Sequence, residues 1–142
     1  MTVTAANVRP LEGAQLRSKK AGGTVNMGDA VYVDSSSKVQ AAVATSAAAA
    51  EAWGVVTAVA QPGDTSAPSG DAVTVCTFGP VGGFSSLTPG AVYYVDGTTA
   101  GAITATAPSG AGKWAKAVGY AESDTIFFVD PGIAAARSSG LA

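Results

Sequence analysis

The chain has 142 residues, which is the length of a single domain. Val, Thr and Gly supply 17, 14 and 18 residues whereas Leu supplies only 4, a balance that favours β-sheet over helix. There is no His, and Cys76 is the single cysteine. Histidine-based catalysis, an internal disulfide and a zinc site built from His or several Cys are therefore excluded. No apolar run reaches the roughly 18 residues of a membrane span and the N-terminus does not resemble a secretory signal, so no membrane partner is expected.

The formal net charge is −2, but it is unevenly distributed. Residues 1–20 hold four basic residues and one acidic residue (+3), whereas residues 21–142 hold four basic and nine acidic residues (−5). The four basic residues of the first segment are Arg9, Arg17, Lys19 and Lys20. Such a segment can dock on an acidic partner, or it can simply add solubility to a frayed end. No nucleic-acid partner is expected, because the cations are scattered and lack neighbouring aromatic residues.

In chain order, residues 1–23 are predicted to be irregular, since Pro and Gly interrupt any period. Beyond them, short alternating apolar segments are bounded by Gly, Pro, Asp or Ser. The segments predicted as strands are 30–33, 38–43, 53–59, 71–78, 91–95, 102–106, 114–120 and 124–130, with a further short strand or bend at 81–86. Residues 45–52 are predicted as the one helix, with a small-residue loop as the alternative.

Two local features limit these strands. Gly79-Pro80 is predicted to end the strand at 71–78, and residues 61–70 are predicted to form a surface loop. The spacing of near a dozen residues predicts a small antiparallel β-sandwich or barrel of about eight short strands. We expect an extended basic N-terminal arm (1–23), a single β domain (24–131) and a C-terminal tail (132–142).

The chain partly repeats itself. Gly28-Asp29-Ala30-Val31-Tyr32-Val33-Asp34 parallels Gly90-Ala91-Val92-Tyr93-Tyr94-Val95-Asp96, and each segment leads through an Ala-containing stretch to a Trp. This pattern suggests an internal pseudo-repeat of residues 28–59 and 90–121. The alternative is chance recurrence of Gly-Asp turns and alternating Val in a Val-rich β protein.

No group of residues predicts catalysis. The serines have no candidate base beside them, and most of the acidic residues flank turns, where Asp caps backbone N–H groups. These turn acids are Asp29, Asp34, Asp71, Asp96, Glu122, Asp124 and Asp130. We therefore expect no catalytic, cofactor-binding or metal-binding residues, and no enzyme activity. Cys76 is expected in the core, and Trp53 and Trp114 are expected to be core aromatics rather than a sugar-binding platform.

Two sets of motifs resemble structural proteins of tailed bacteriophages. Leu87-Thr88-Pro89-Gly90-Ala91-Val92-Tyr93-Tyr94-Val95, followed by Ile126-Phe127-Phe128-Val129, looks like a β module that recurs in such proteins. A second set resembles the small capsid decoration, or cement, proteins: Ala21-Gly22-Gly23-Thr24-Val25 and Gly28-Asp29-Ala30-Val31-Tyr32-Val33, then Trp53-Gly54-Val55-Val56 and Gly70-Asp71-Ala72-Val73-Thr74-Val75. Together the motifs cover residues 21–130.

The resemblance implies a virion structural protein that binds the outer surface of a phage head and stabilises it between capsomers. It implies the major capsid protein and two further copies of the chain, in a homotrimer, as partners. It also implies a location on the capsid surface after assembly in the host cytoplasm. We expect Arg9, Arg17, Lys19 and Lys20 to contact the capsid. The alternative is a tail-fibre or head-fibre module that recognises a host surface glycan.

Overall fold

The structure is a computed structural model that describes residues 2–132 and 136–137. Strands make up 44% of the structure and helices 5%. The antiparallel sheets curl into a half-barrel, so the predicted all-β fold is confirmed. The helices are a 3₁₀ turn at Ala5–Asn7 and α1 at Ala47–Ala50. The strands are β1 Thr2–Val3, β2 Arg9–Pro10, β3 Gln15–Lys20, β4 Val25–Asn26, β5 Ala30–Val33, β6 Val39–Ala41, β7 Gly54–Val59, β8 Ser66–Ala67, β9 Ala72–Gly82, β10 Phe84–Ser85, β11 Val92–Val95, β12 Ile103–Thr104, β13 Trp114–Ala115, β14 Ala117–Ala121, β15 Ile126–Val129 and β16 Ala136–Arg137.

The main sheet has the strand order β12-β11-β14-β15-β9-β7-β5-β6. All of its neighbours are antiparallel. The sheet has two halves with the same strand order. In the first half, β5 lies between β6, its hairpin partner, and β7; in the second half, β11 lies between β12, its hairpin partner, and β14. This shared order is the arrangement that a repeated unit would have, and the β9–β15 pair joins the two halves.

Strand β9 has neighbours on both sides along most of its length. Its first half pairs with β3 and β7, and its second half pairs with β2 and β15. The predicted end of this strand at Gly79-Pro80 is wrong, because the ladder continues through both residues to Gly82. Gly79 has a φ of +119°, which glycine adopts readily and other residues rarely adopt. Any Cβ there would lie 2.7 Å from Ala14 Cα.

The N-terminal segment is a structured part of the sheet. The prediction that residues 1–23 are irregular is wrong for Gln15–Lys20, which forms a six-residue strand paired with β9 from Phe78 to Ala72. Shorter pairings join β1 to β10 and β2 to β9. Tertiary pairing therefore makes a strand of a polar sequence that has no alternating apolar pattern of its own.

The first half of the sheet curls until its two edges meet. Ala21, directly after β3, forms a parallel bridge with Val39 of β6, and the N–H of Gly22 donates to the Val39 carbonyl at 2.8 Å. Strands β5, β7 and β9 consequently have buried residues on both faces. One core fills the half-barrel and includes Ala30, Val55, Cys76, Val118 and Phe127. A second core fills the curl and includes Val31, Val39, Val56, Val73 and Val75.

Other predictions are confirmed in part. The predicted strands at 30–33, 53–59, 91–95 and 124–130 match β5, β7, β11 and β15 within two residues. Helix α1 is shorter than the predicted 45–52, and Ser46 is its N-cap, since the Ser46 hydroxyl accepts from the Ala49 N–H. The predicted loop 61–70 contains β8, which pairs with β4. The tail 132–142 lies mostly outside the described residues.

Two glycines allow the closest strand contacts. A Cβ on Gly54 of β7 would lie 2.3 Å from the Cys76 carbonyl oxygen of β9, and a Cβ on Gly119 of β14 would lie 2.0 Å from the Phe128 carbonyl oxygen of β15. The two glycines occupy matching places in the two halves, each on the strand beside the β9–β15 junction. Any side chain at either position must push strands apart.

We expect Gly119→Ala to lower the free energy of unfolding by about 1–3 kcal/mol, the usual cost of overpacking. Gly23→Ala is the matched control, because a Cβ there meets only Gln40 Oε1 at 3.5 Å, an ordinary contact. Urea denaturation followed by circular dichroism measures both. Equal stability of the two variants would contradict the close packing at Gly119.

Asp29 ties the first hairpin to the turn between β11 and β12. Its carboxyl lies against Gly101, where a Cβ would be 2.5 Å from Asp29 Cγ, and it accepts a hydrogen bond from the Asn26 N–H at 2.9 Å. Burial raises the pKa of Asp29 from 3.8 to about 6, although the bond from Asn26 opposes this rise. The folded protein therefore holds this proton at a pH where the unfolded chain has lost it.

We expect Asp29 to make the protein less stable as pH rises from about 4 to 7. Below pH 3.8 both states are protonated; between 3.8 and about 6 only the unfolded state ionises, so the unfolded state is favoured. The loss is up to about 3 kcal/mol, since one pKa unit is 1.36 kcal/mol. Asp29→Asn should remove this part of the pH dependence. The difference in unfolding free energy between variant and wild type, measured across the range, checks it; a difference independent of pH would contradict it.

Candidate functional site

Strand β3 is an edge of the sheet. Among the described residues it pairs with β9 alone, and its other side has no strand beside it until Ala21, which bridges Val39 of β6. Three of the four predicted contact residues, Arg17, Lys19 and Lys20, lie on this strand, and Arg9 lies on β2 along the same side of β9. All four predicted residues therefore lie in the N-terminal segment, on the two strands that pair with β9.

The backbone groups that face outward from this edge can be assigned. The N–H of Ala21 donates to the Asp71 carbonyl at 2.8 Å, so this residue pair is of the hydrogen-bonded kind. Such pairs alternate along an antiparallel ladder, which directs the backbone groups of Arg17 and Lys19 toward β9. The N–H and C=O groups of Leu16 and Ser18 consequently point away from the sheet. Those of Lys20 point toward β6, because the next residue, Ala21, bridges Val39.

The side chains of β3 divide between the two faces of the sheet. Arg17 and Lys19 lie beside Trp53: Arg17 Cζ and Lys19 Nζ are each 5.9 Å from the centre of its ring. Lys20 follows Lys19 directly and therefore points to the opposite face. At β2, Arg9 lies against Gly82 and donates to the Asn7 carbonyl at 3.1 Å.

The four cations have no carboxylate partners in the part of the chain that the structure describes. The one ion pair found there joins Lys116 Nζ and Glu51 Oε2 at 3.6 Å. The positive charges of this segment are therefore not neutralised by intramolecular ion pairs in the described residues. Cations at a sheet edge also discourage unwanted pairing, which is their ordinary structural role.

A cavity of about 500 Å³ opens beside Trp53. Its lining residues are Val33, Glu51, Ala52, Trp53, Thr77, Lys116 and Pro131. Lys116 is only 5% exposed, and its ammonium donates to the Gly132 carbonyl at 2.7 Å. The prediction that Trp53 and Trp114 are core residues is only partly right, because both are half-buried at the margin of a core.

The outer face of the sheet carries an aromatic row, which we define as Phe78, Pro80, Phe128, Tyr120 and Val92. Val92, Tyr120, Phe128 and Pro80 are consecutive cross-strand partners over β11, β14, β15 and β9. Phe128 stacks on Tyr120 and meets Phe78 edge-on, with ring centres 5.1 Å apart in both pairs. Phe78, Tyr120 and Val92 are each about 40% exposed, so the row is an apolar strip open to solvent.

Three of the seven turn acids, Asp29, Asp34 and Asp96, cap backbone N–H groups as their sequence context predicts. Asp34 accepts from the Gln40 amide and from the N–H groups of Lys38 and Ser36, and these bonds lower its pKa. Burial acts to raise the pKa of Asp96, but hydrogen bonds from Thr99 and Thr98 outweigh it, so the pKa is lowered. Cys76 is buried as predicted, and burial raises the pKa of its thiol.

Sequence reasoning did not find the Lys116–Glu51 pair or the aromatic row. Lys116 and Glu51 are far apart in the sequence, and nothing in either local pattern points to the other. The aromatic row becomes visible only once strand register is known. In the described residues, no group of three or more acidic, Cys or His side chains is placed to hold a metal ion.

Two comparisons with known proteins were negative. A scan against protein-family models found no match to this chain, and a search of curated proteins found none. Within the described ranges, no helix is both long and apolar enough to cross a membrane.

Proline substitutions test the direction of the β3 backbone groups. Ser18→Pro removes an N–H that points outward, so we expect stability near that of the wild type. Lys19→Pro removes an N–H that bonds to β9, and we expect a loss of about 1–3 kcal/mol because a buried acceptor loses its donor. Thermal unfolding of the two variants measures the difference. If Ser18→Pro were the more damaging substitution, the assigned backbone direction would be wrong.

Proposed function

We propose that this protein is a non-enzymatic virion structural protein that decorates the outer surface of a phage head. The observation that carries the proposal is the open edge of β3, where outward backbone groups lie between cations without carboxylate partners in the described residues. A rigid β body that presents such an edge is suited to bracing a neighbouring protein surface. The resemblance of residues 21–130 to decoration proteins supports the same function.

The proposed docking mode is addition of an extended capsid segment to β3. Main-chain hydrogen bonds to Leu16 and Ser18 would supply affinity. Acidic side chains of the added strand would meet Arg17 and Lys19 on one face and Lys20 on the other. Two copies of β3 would oppose like charges if they paired with each other, so the edge favours an acidic partner over self-pairing.

The partners of this proposal are the major capsid protein and two further copies of the chain in a homotrimer. The aromatic row supports self-association, because a solvent-exposed apolar strip is typical of a protein–protein contact. Many contacts of moderate strength, repeated over a shell, would add through avidity. The protein would lie on the capsid surface after assembly in the host cytoplasm.

A charge reversal at the edge tests head binding. We expect Lys20→Glu to weaken binding to heads that lack the protein by about tenfold, since an exposed charge pair contributes up to about 1 kcal/mol and reversal adds repulsion. Co-sedimentation with heads, at several salt concentrations, measures the apparent affinity, and the defect should shrink at high salt.

Lys113→Glu is the matched control, because it makes the same charge change in the loop before β13, in the other half of the sheet from β3. It should bind heads as the wild type does. Equal weakening by both variants would show that only net charge matters. Unchanged binding of Lys20→Glu would remove the edge from the docking surface.

The alternative function, a fibre module that recognises a host glycan, is favoured by one observation: Trp53 lines an open cavity instead of filling a core. The two functions predict different positions of the protein on the virion. Immunogold labelling of virions with antibody to this chain should mark the head if the protein is a decoration protein. Label confined to the tail would replace that proposal with the fibre function.

A further inference from the structure

We propose that a cavity beside Asp29 binds a primary alkylammonium group, the end of a lysine side chain or of a free amine. This cavity, which we call the Asp29 cavity, has a volume of about 530 Å³, within the roughly 300–1,000 Å³ of small-molecule sites. It lies where the N-terminal residues, the turn before β5 and the turn between β11 and β12 meet. No residue of β3 lines it, so the inference does not depend on binding to a phage head.

The Asp29 carboxyl group lacks a partner for one of its oxygens. Oδ2 accepts a hydrogen bond from the Asn26 N–H at 2.9 Å, and no described residue donates to Oδ1. Both oxygens lie against the bare Cα of Gly101, where a Cβ would be 2.6 and 2.8 Å from them. Burial raises the pKa of Asp29 to about 6, and no cation among the described residues acts to lower it. A ligand that brings a positive charge would therefore stabilise the ionised carboxylate.

The remaining wall of the Asp29 cavity is largely apolar. Its apolar side chains are those of Val3, Ala5, Met27, Ala100 and Ala102. Asp29 is the only charged residue that lines the cavity in the described part of the chain. Methylene groups of a ligand would lose contact with water against these walls, which is favourable. A cation on an alkyl stem thus matches both the carboxylate and the walls.

The contacts of the carboxyl group select among cations. A guanidinium group binds a carboxylate best through both oxygens at once, but one oxygen of Asp29 already accepts from Asn26. An ammonium group is a compact charge that needs only one open oxygen. A divalent metal ion requires several ligands, whereas no group of three or more acidic, Cys or His side chains comes together in the described ranges. The site therefore fits an alkylammonium group best.

Titration followed by methyl NMR tests the site on the full chain. The probes are butylamine and N-acetyl-lysine methylamide, which share a four-carbon stem, and 1-butanol is the uncharged control. Met27 lines the cavity and the chain has two Met residues, so selective methionine labelling gives few signals and Met27→Leu assigns the one needed. We expect butylamine, but not butanol, to shift the Met27 signal at millimolar concentration and pH 7.5. Binding of the capped lysine as well would identify a partner's side chain as the ligand, and its failure to bind would identify a free amine.

The affinity should fall as the pH is lowered, because the ammonium group binds the ionised carboxylate. With a pKa of about 6, Asp29 is almost fully ionised at pH 7.5 and about one-tenth ionised at pH 5, so Kd should be about tenfold higher at pH 5. The turn between β11 and β12 brings a second acid, Asp96, which accepts from the Thr99 N–H and has Lys113 nearby. Hydrogen bonds lower the pKa of Asp96, so it stays ionised over this range. The N-terminal residues and the turn before β5 bring no further charged side chain to the cavity in the part of the chain that is described.

Variants connect the binding to the Asp29 cavity. Asp29→Asn should weaken butylamine binding at least about tenfold and remove its pH dependence, because the amide has the same shape but no charge. Its amide spectrum shows whether the fold is kept. Asp64→Asn is the matched control, because Asp64 lines a separate cavity of about 330 Å³ that Met27 also lines. This control should bind butylamine as the wild type does.

Three results would overturn the inference. One is that butylamine does not shift the Met27 signal, or shifts it no more than butanol does. Another is a Kd that is the same at pH 5 and pH 7.5. The third is that Asp64→Asn weakens binding and Asp29→Asn does not, which would place the ligand in the other cavity.

Discussion

The fold depends on backbone hydrogen bonding along both sides of β9. Every unpaired buried N–H or C=O group costs free energy, so a long strand in the middle of a sheet requires partners over its whole length. The sequence supplies them from four separate segments: β3 and β2 on the N-terminal side of the chain, and β7 and β15 from the two halves. The N-terminal segment is therefore a structural strand that also carries the candidate docking surface.

A consequence is that the sheet must pack on two faces with small side chains. Strands β7 and β9 contribute to both cores: Val55, Cys76 and Val81 lie in the half-barrel core, and Val56, Val73 and Val75 lie in the core of the curl. Gly54 and Gly119 bring the strands beside the β9–β15 junction closer than any Cβ would permit. The abundance of Val and Gly and the scarcity of Leu are thus properties of the curled, doubly packed sheet.

The same reasoning explains which elements could be predicted from the sequence. Ala30–Val33 was predictable because turn residues bound it on both sides, and its residues have strong β propensity. Gln15–Lys20 was not, since its polar side chains lie at an edge and only pairing with β9 makes it a strand. Gly79-Pro80 predicts a strand end, but here the flanking strands continue the ladder through it. The local pattern of apolar and polar residues indicates which side chains are buried. It does not indicate which distant segment will pair with the backbone of a strand.

The candidate sites could be predicted from the sequence only in part, for a different reason. Composition and charge identify Arg17, Lys19 and Lys20 because their grouping is local, whereas the Lys116–Glu51 pair arises only when β13 and α1 meet. A buried ammonium group costs free energy that its partner often only offsets, so this pair adds little net stability. Trp53 connects the two regions: cations of β3 lie beside one part of its ring, and the cavity lies beside another. An indole held from one side is pre-organised to present the other, which is why the exposed edge and the cavity are best understood as parts of one rigid surface.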